Sequence, residues 1–330
     1  MSDLIRIGTR ESKLAVWQAE QVKDYLDAHH FKNELTYIKS EGDINLTTPL
    51  YELGVQGIFT KSLDIALLEN RIDIAVHSHK DVPTQLAKGL TIAAVLKRGN
   101  PLDVLVCRET SEVNRELDDK ENPQLISLQQ KIGNINNSEP ITTHDSRLTI
   151  ATSSIRRKAQ WAYKFPNSTF ENLRGNVITR IQKVQNSDWD GAIFAAAGLE
   201  RLGLTEKETG PQIILDWMLP APAQGAVVIV CREDNSKMLE ICAELNDADT
   251  QICTKIERDF LRILQGGCST PIAAFAEIKD GKVIFKGNIT ANDGSEQIAV
   301  LFTDKKENYG SIASKAAEEI INKGGKKLLM

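Results

Sequence analysis

The sequence predicts an α/β protein with two similar lobes, each built on a mainly parallel sheet, followed by a small α+β C-terminal domain. Two segments resemble each other as text, IGTRESKLAVWQA from residue 7 and IATSSIRRKAQWA from residue 150. Each passes from a short apolar run through small polar residues into a helical pattern. The C-terminal part differs, because its apolar runs are joined by Asp280-Gly281 and Asp293-Gly294, which are strong hairpin signals.

The individual elements support this division. The apolar run over 4–7 predicts a strand, and Ser12 stands where it can cap the helix that follows. The run over 148–151 predicts the equivalent strand of the second lobe. Asp73–His77 and Asp190–Phe194 have the same small and branched character, so each lobe gains one further strand.

The length of 330 residues exceeds what one hydrophobic core usually organises, so two or three domains are expected. The last domain is predicted to open with a helix over 250–264 and to close with one over 311–322. The predicted domains are 1–98 with 225–243 for the first lobe, 103–219 for the second lobe with a polar insertion over 109–146, and 247–330 for the α+β domain.

The composition, with 41% hydrophobic and 26% charged residues, is that of a soluble globular protein. The longest strongly apolar stretch, Gly225–Cys231, is too short to span a bilayer, and the N-terminus lacks the features of a secretory signal. These observations predict a cytoplasmic protein. The five cysteines are scattered and never form a Cys-x-x-Cys pair, which predicts reduced thiols rather than disulfides or a zinc site.

The net charge of −5 argues against a general nucleic-acid binder. Between residues 146 and 183, however, the chain has eight basic residues and only one acidic residue. This excess indicates either a local anion site or a solvated helix face. Charge alone favours the solvated face. No phosphate loop, dinucleotide fingerprint or zinc-protease motif is present, and His77 and His79 have no third ligand nearby in sequence, so we expect ordinary strand-end histidines and no metal.

Polar donors follow the first strand of each predicted lobe, where free backbone amides at a helix N-terminus attract anions. They are Thr9, Arg10 and Ser12 in the first lobe, and Thr152, Ser153, Ser154, Arg156 and Arg157 in the second. Arg174 and Arg180 flank a predicted turn at Gly175-Asn176. Because a guanidinium can donate two parallel hydrogen bonds to a carboxylate, so many arginines favour a ligand with several carboxylates.

Two residues could carry chemistry. Asp81 follows the strand 72–76, at the sheet edge where open α/β sheets bind ligands. It could cap a turn before Pro83, or it could lie among arginines as an ionised carboxylate that stabilises a cation. Cys268 lies in a Gly-Gly loop ended by a proline, which makes its thiol accessible.

Seven motifs resemble those of the porphobilinogen deaminase family, in the order that the family has them. They are IGTRESKLAVWQ, LLENRIDIAVHSHKDVPT, ATSSIRRKAQ, LRGNVITR, AAAGLERLG, LPAPAQGAVVIVCR and LQGGCSTPIAA. The resemblance implies lobes like those of periplasmic binding proteins and a dipyrromethane cofactor joined by a thioether to Cys268. The sequence departs from the family pattern at Gln56, where lysine is expected.

The resemblance also implies site residues. Asp81 and Lys80 would be catalytic. The residues that would hold the cofactor are Cys268, Ser12, Lys80, Asp81, Thr152, Ser154, Arg156, Arg157, Arg174 and Gly175. The residues that would bind substrate are Arg10, Ser12, Arg174, Arg180, Arg201 and Gln224. The implied reaction deaminates four porphobilinogen units, joins them head to tail on the cofactor and releases hydroxymethylbilane by hydrolysis. Asp81 would stabilise the electron-poor azafulvene left when ammonia departs. Porphobilinogen and the growing polypyrrole would be the partners of a monomer, with no nucleic acid, membrane or obligate protein partner.

Two other functions fit parts of the sequence. A two-lobed binding protein for small anions would share the lobes but would need neither a loop cysteine nor a third domain. An enzyme acting on another polycarboxylate, with Cys268 as an ordinary nucleophile, would need a histidine partner. None of the five histidines shows an obvious pairing with the cysteine loop.

Overall fold

The protein is described from a computed structural model that covers residues 4–39, 60–108, 147–265 and 270–329. Within these residues it contains three sheets, two of five strands and one of three strands. The predicted insertion over 109–146, Gln56 and Cys268 lie outside the described residues. No helix in the described ranges has the length and hydropathy needed to cross a membrane.

The first lobe carries a five-stranded sheet with the order β2-β1-β3-β10-β4. Its strands are β1 Ile5–Thr9, β2 Asn33–Tyr37, β3 Ile74–Ser78, β4 Leu90–Val95 and β10 Val227–Arg232, and its helices are α1 Lys13–Ala28, α2 Lys61–Leu68 and α7 Ser236–Ala243. Strand β10 runs antiparallel to β3 and β4, whereas β1 is parallel to β2 and β3. The predicted Ser12 cap is confirmed, since its hydroxyl accepts a hydrogen bond from the Ala15 amide.

The second lobe repeats this arrangement with the order β7-β6-β8-β5-β9. Its strands are β5 Asp103–Cys107, β6 Thr149–Ala151, β7 Thr169–Glu171, β8 Gly191–Ala195 and β9 Gln212–Leu215, and its helices are α3 Ile155–Lys164, α4 Val177–Gln185, α5 Ala196–Glu200 and α6 Glu206–Thr209. The fourth strand, β5, is again antiparallel to its neighbours. The matching orders confirm the prediction of two similar, mainly parallel lobes.

The third domain packs two helices on an antiparallel sheet, as the sequence predicts. Its elements are α8 Ala248–Ile263, β11 Ile272–Lys279, β12 Lys282–Thr290, β13 Gln297–Lys305 and α9 Ile312–Asn322. Asp280 and Gly281 both have positive φ in the turn between β11 and β12, which suits a tight hairpin. Phe260 from α8 and Phe285 from β12 are fully buried with ring centroids 5.1 Å apart, so they form the centre of this core.

Two crossing segments, 96–102 and 216–226, connect the lobes and lie against each other. The Gly99 amide donates to the Gly225 carbonyl at 3.0 Å. A Cβ on Gly225 would lie 2.8 Å from the Gly99 carbonyl oxygen, and the Gly225 φ of +85° favours glycine. The chain therefore passes between the lobes twice at one place, and the site lies beside this crossing.

Candidate functional site

Asp81 and Lys80 lie at the end of β3, in a short 3-10 helix His79–Asp81. Asp81 lines a cavity of the first lobe together with Arg10, Ser12 and His77. The strand places them there because its carboxyl end opens at the sheet edge, as the sequence predicts. Lys80 donates from Nζ to the Gln224 side-chain oxygen at 3.3 Å, which connects the strand end to the crossing segment.

Lys80 is held in a desolvated position. Desolvation lowers the pKa of the Lys80 ammonium to about 8, against the attraction of the neighbouring Asp81 carboxylate. Asp103 also attracts the ammonium, while Arg157 and Arg156 repel it. Asp81 belongs to the first lobe, whereas Asp103, Arg156 and Arg157 belong to the second. Lys80 therefore interacts with charged groups of both lobes.

The second lobe places its basic residues around the start of α3 and the turn before α4. Ser154 caps α3 and accepts from the Arg157 amide, while the Thr152 hydroxyl accepts from the Ser154 amide at 3.2 Å. Arg156 and Arg157, in the first turn of α3, are only 5% and 7% exposed. The solvated helix face that charge alone favours is therefore wrong for these two arginines, because a buried carboxylate at the start of β5 compensates them.

Asp103, the first residue of β5, is that carboxylate. It is fully buried and lies 2.7 Å from Arg156 Nη2 and 2.7 Å from Arg157 Nη2. Gln224 donates a further hydrogen bond to it from Nε2 at 2.9 Å. Burial alone would raise the pKa of Asp103, but the charges of the two arginines outweigh it and hold the pKa at about 2.

Arg174 and Arg180 flank Gly175, as predicted. Arg174 is 6% exposed, and Arg180 donates from Nε to the Gly175 carbonyl at 2.7 Å. Desolvation, then the charges of Arg157 and Arg174, lowers the pKa of Arg180 to about 10, with Asp81 acting in the opposite direction. Arg180 thus interacts electrostatically with the first lobe's carboxylate as well as with its own lobe's arginines.

Arg201 and Gln224 have extensive contacts within the protein. Arg201 donates from Nη2 to the Gly225 carbonyl, and its guanidinium lies 5.4 Å from the Trp17 ring centroid. Gln224 is 1% exposed and donates to the Pro101 carbonyl at 2.8 Å as well as to Asp103. Both residues join the crossing segments to a lobe.

Three residues of the site's surroundings were not selected from the sequence: Asp103, Glu257 and Arg258. Glu257 and Arg258 are neighbours on α8 of the third domain. Arg258 donates to the carbonyls of His79, Val82 and Pro83 at 3.1, 2.8 and 2.6 Å, so α8 holds the loop that carries Lys80 and Asp81. An acidic residue opening the apolar strand DVLV was the one sequence signal for Asp103.

His77 and His79 are buried, and the described part of the chain contains no cluster of three or more metal-binding side chains. Desolvation, together with the charge of Arg10, lowers the pKa of His77 to about 4, and desolvation lowers that of His79 well below its ordinary value. Both rings are therefore neutral near pH 7. Both side chains are buried at the carboxyl end of β3.

Two family models match the chain. The model described as "Porphobilinogen deaminase, dipyromethane cofactor binding domain" covers residues 5–240. The model described as "Porphobilinogen deaminase, C-terminal domain" covers residues 251–322.

The chain belongs to the porphobilinogen deaminase family. It is a transferase of tetrapyrrole biosynthesis that uses a dipyrromethane cofactor, as the sequence motifs predict. It deaminates porphobilinogen, joins four units head to tail and releases hydroxymethylbilane by hydrolysis. The first model, whose description names the cofactor, spans the two lobes, where the structure buries Arg156, Arg157 and Arg174.

Solved structures of binding proteins resemble the chain only distantly. The probable amino-acid transporter binding protein ytmK from Bacillus subtilis is 9% identical, with 74% of this chain and 90% of that chain covered and a TM-score of 0.39. A YaeC-family lipoprotein from Enterococcus faecalis is 13% identical over 75% and 93%, with a TM-score of 0.37. A phosphate transport receptor from Vibrio cholerae is 14% identical over 76% and 96%, with a TM-score of 0.33.

Proposed function

We propose that Asp81 is the catalytic carboxylate of this transferase and that Lys80 assists it. The observation that carries the proposal is the electrostatic convergence of both lobes on one place. Asp81 and Lys80 interact there with Arg157 and Arg180 of the second lobe. The Asp81 carboxylate can there stabilise positive charge that develops on a pyrrole ring when ammonia leaves.

The residues proposed to hold the cofactor are suited to a ligand with several carboxylates. Ser12, Thr152 and Ser154 lie at helix N-termini, where hydroxyls and backbone amides favour anions. The Nε atom of Arg156 is buried and has no hydrogen-bond partner among the described residues, as expected of a donor that serves a ligand. Arg157, Arg174 and Gly175 complete this set in the second lobe.

Cys268 is the proposed attachment point, through a thioether. When bound, the cofactor supplies the free pyrrole carbon that attacks the substrate. The protein's part is to bind the carboxylate arms, to orient Asp81 toward the reacting ring and to exchange protons at pyrrole nitrogens. Cys107, Cys231, Cys242 and Cys253 are all buried, and burial raises the pKa of each thiol, so they are poor nucleophiles.

For substrate we propose Arg10 and Ser12 in the first lobe and Arg174 and Arg180 in the second. Each ring added to the chain brings two carboxylates, so a growing product needs several cationic positions within reach. Arg201 and Gln224 were predicted to bind substrate too. Their protein contacts favour an indirect role, in which they fix the crossing segments beside the substrate.

Intact mass spectrometry of the denatured protein tests the attachment site and the catalytic residue separately. The wild type should carry an excess equal to two linked pyrrole units, either as purified or after incubation with porphobilinogen. Cys268→Ser should carry none. Asp81→Asn should retain the excess while its turnover falls by about 10³-fold, because one stabilising charge is lost from the transition state.

Each variant can contradict its own part of the proposal. A normal mass excess on Cys268→Ser would exclude this cysteine as the attachment point. Turnover of Asp81→Asn within a few fold of the wild type would exclude Asp81 as the catalytic carboxylate. Turnover and mass are measured on the same preparation, so an unloaded protein is not mistaken for a catalytically impaired one.

We also propose that the protein works in the cytoplasm as a monomer without an obligate partner. The four described cysteines are unpaired, which is typical of reducing compartments. Cell fractionation tests the location, and light scattering of the purified enzyme tests the monomer. Recovery of the activity in a membrane fraction, or in a stable complex, would contradict it.

A further inference from the structure

A single carboxylate, Asp103, connects the cationic residues of the two lobes. It accepts from Arg157 through Nε at 3.1 Å and Nη2 at 2.7 Å, and it lies 2.7 Å from Arg156 Nη2. Gln224 donates to it at 2.9 Å and accepts from Lys80 at 3.3 Å. A continuous chain of contacts therefore runs from Lys80 through Gln224 to Asp103 and the two arginines.

The other contacts of the arginines fix their position. Arg156 donates from Nη1 to the Leu219 carbonyl at 2.6 Å, and Arg157 donates from Nη1 to the Ile193 carbonyl at 2.7 Å. Each guanidinium is thus held at one end by a carbonyl and at the other by Asp103. The geometry leaves the buried Nε of Arg156 without a partner among the described residues.

Asp103 also offsets the repulsion between its partners. Two adjacent guanidiniums that are each more than nine-tenths buried repel each other and lose hydration. A fully buried carboxylate between them compensates both charges only while they keep this geometry. Removing it would leave the arginines either displaced toward solvent or held apart, and neither arrangement preserves the donor pattern.

We propose that Asp103 is a positioning residue that orients Arg156 and Arg157 for binding the carboxylate arms of the cofactor and growing chain. The inference rests on the proposed binding role of those arginines. Asp103 acts through them and does not touch substrate. Its loss should therefore slow cofactor acquisition and raise the KM for porphobilinogen more than it lowers kcat.

The test compares Asp103→Asn and Asp103→Glu with a matched control, Asp73→Asn. Asp73 is likewise paired with an arginine, since it lies 2.9 Å from Arg6 Nη2, but it is only partly buried and lies just before β3 in the first lobe. All proteins are followed by thermal unfolding, by intact mass during incubation with porphobilinogen, and by steady-state kinetics.

We expect Asp103→Asn to acquire the cofactor about 100-fold more slowly than the wild type, because displaced groups lose their productive geometry. Asp103→Glu keeps the charge but shifts the guanidiniums by about the length of one methylene group. Its rate of cofactor acquisition should therefore lie between those of Asp103→Asn and the wild type. Asp73→Asn should unfold at a lower temperature and load at the wild-type rate. If Asp103→Asn does not fold, the folded Asp103→Glu variant decides in its place.

The inference would be overturned if either folded Asp103 variant acquired the cofactor at the wild-type rate and had the wild-type KM. It would also be overturned if Asp73→Asn acquired the cofactor as slowly as Asp103→Asn. Arg156→Gln and Arg157→Gln separate this failure from that of the proposed function. If both load normally, the binding role of the arginines is wrong. If both fail while the Asp103 variants load normally, the binding role stands and the positioning role of Asp103 is wrong.

Discussion

At the residue scale, the environment of Lys80 gives the site a pH dependence. Its ammonium has a pKa of about 8, below its ordinary value of 10.5, because desolvation opposes the charged form. The proton is therefore lost across pH 7–9, where substrate carboxylates stay ionised. We expect the KM for porphobilinogen to rise over this range in the wild type and to stay flat in Lys80→Arg, which keeps its charge.

Identical KM profiles for the two proteins would exclude Lys80 as the titrating group. The lowered pKa of Lys80 also makes the free energy of unfolding depend on pH. Between pH 8 and 10.5 the folded state binds fewer protons at Lys80 than the unfolded state does. The contribution of Lys80 to the free energy of unfolding is therefore unfavourable below pH 8 and is relieved as the pH rises through that window.

Gly175 gives a second prediction at this scale. Its φ of +112° favours glycine, and a Cβ there would lie 3.0 Å from the Thr179 Cγ2 atom. Gly175→Ala should lower the free energy of unfolding by about 1–3 kcal/mol and reduce activity, since the strain displaces Arg174 and Arg180.

The control is Gly281→Ala, at a φ of +71° with nothing within 4 Å of the added Cβ. It introduces backbone strain in a hairpin of the third domain, so it should cost stability without changing KM or kcat. Denaturant titration and steady-state kinetics measure both. Unchanged activity in a comparably destabilised Gly175→Ala would show that the two arginines do not depend on this turn.

How far the sequence predicts the site depends on how local each contact is. Ser12 and Ser154 were placed correctly because a helix cap involves residues three positions apart. Asp103 was missed because its partners lie 54 and 121 residues away along the chain. Asp103 also explains why Arg156 and Arg157 are buried although the charge of the segment alone favours a solvated face.

At the element scale, helix α8 supports the loop that carries the proposed catalytic residues. Arg258 donates to three backbone carbonyls between His79 and Pro83. Arg258→Ala should lower the free energy of unfolding by about 3 kcal/mol, because carbonyls of a buried loop lose charged donors. Because the loop then positions Asp81 less precisely, we expect kcat to fall more than KM changes.

Arg262→Ala, one helical turn further on, provides the comparison. Its side chain is 47% exposed and pairs with Asp259, so stability should change by no more than about 0.5 kcal/mol. Chemical denaturation and initial rates report both quantities. Equal effects of the two substitutions would show that α8 does not position the loop through Arg258.

At the scale of the whole molecule, Glu257 joins the third domain to the lobes. It accepts from Arg98 at 2.6 and 3.1 Å, from the Ala223 amide at 2.6 Å and from the Ala276 amide at 2.7 Å. Arg98 and Ala223 belong to the two crossing segments, and Ala276 belongs to β11. One buried carboxylate therefore fixes three parts of the chain at a common point.

Glu257→Gln should lower the free energy of unfolding by about 3 kcal/mol, since Arg98 loses its buried counter-charge. We expect the third domain to unfold in a separate, earlier calorimetric transition. Glu277→Gln, on the exposed side of β11, should unfold like the wild type. A single, unshifted transition in Glu257→Gln would show that other contacts hold the domains together.

The strand order also sets the sequence of events during synthesis on the ribosome. Strand β10 lies between β3 and β4, which have no other link in the first sheet, yet residues 227–232 are made after the whole second lobe. The five strands of the second lobe lie within residues 103–215. The lobe that emerges first is consequently the second to complete its sheet, and nascent β4 must wait for more than a hundred later residues before its partner exists.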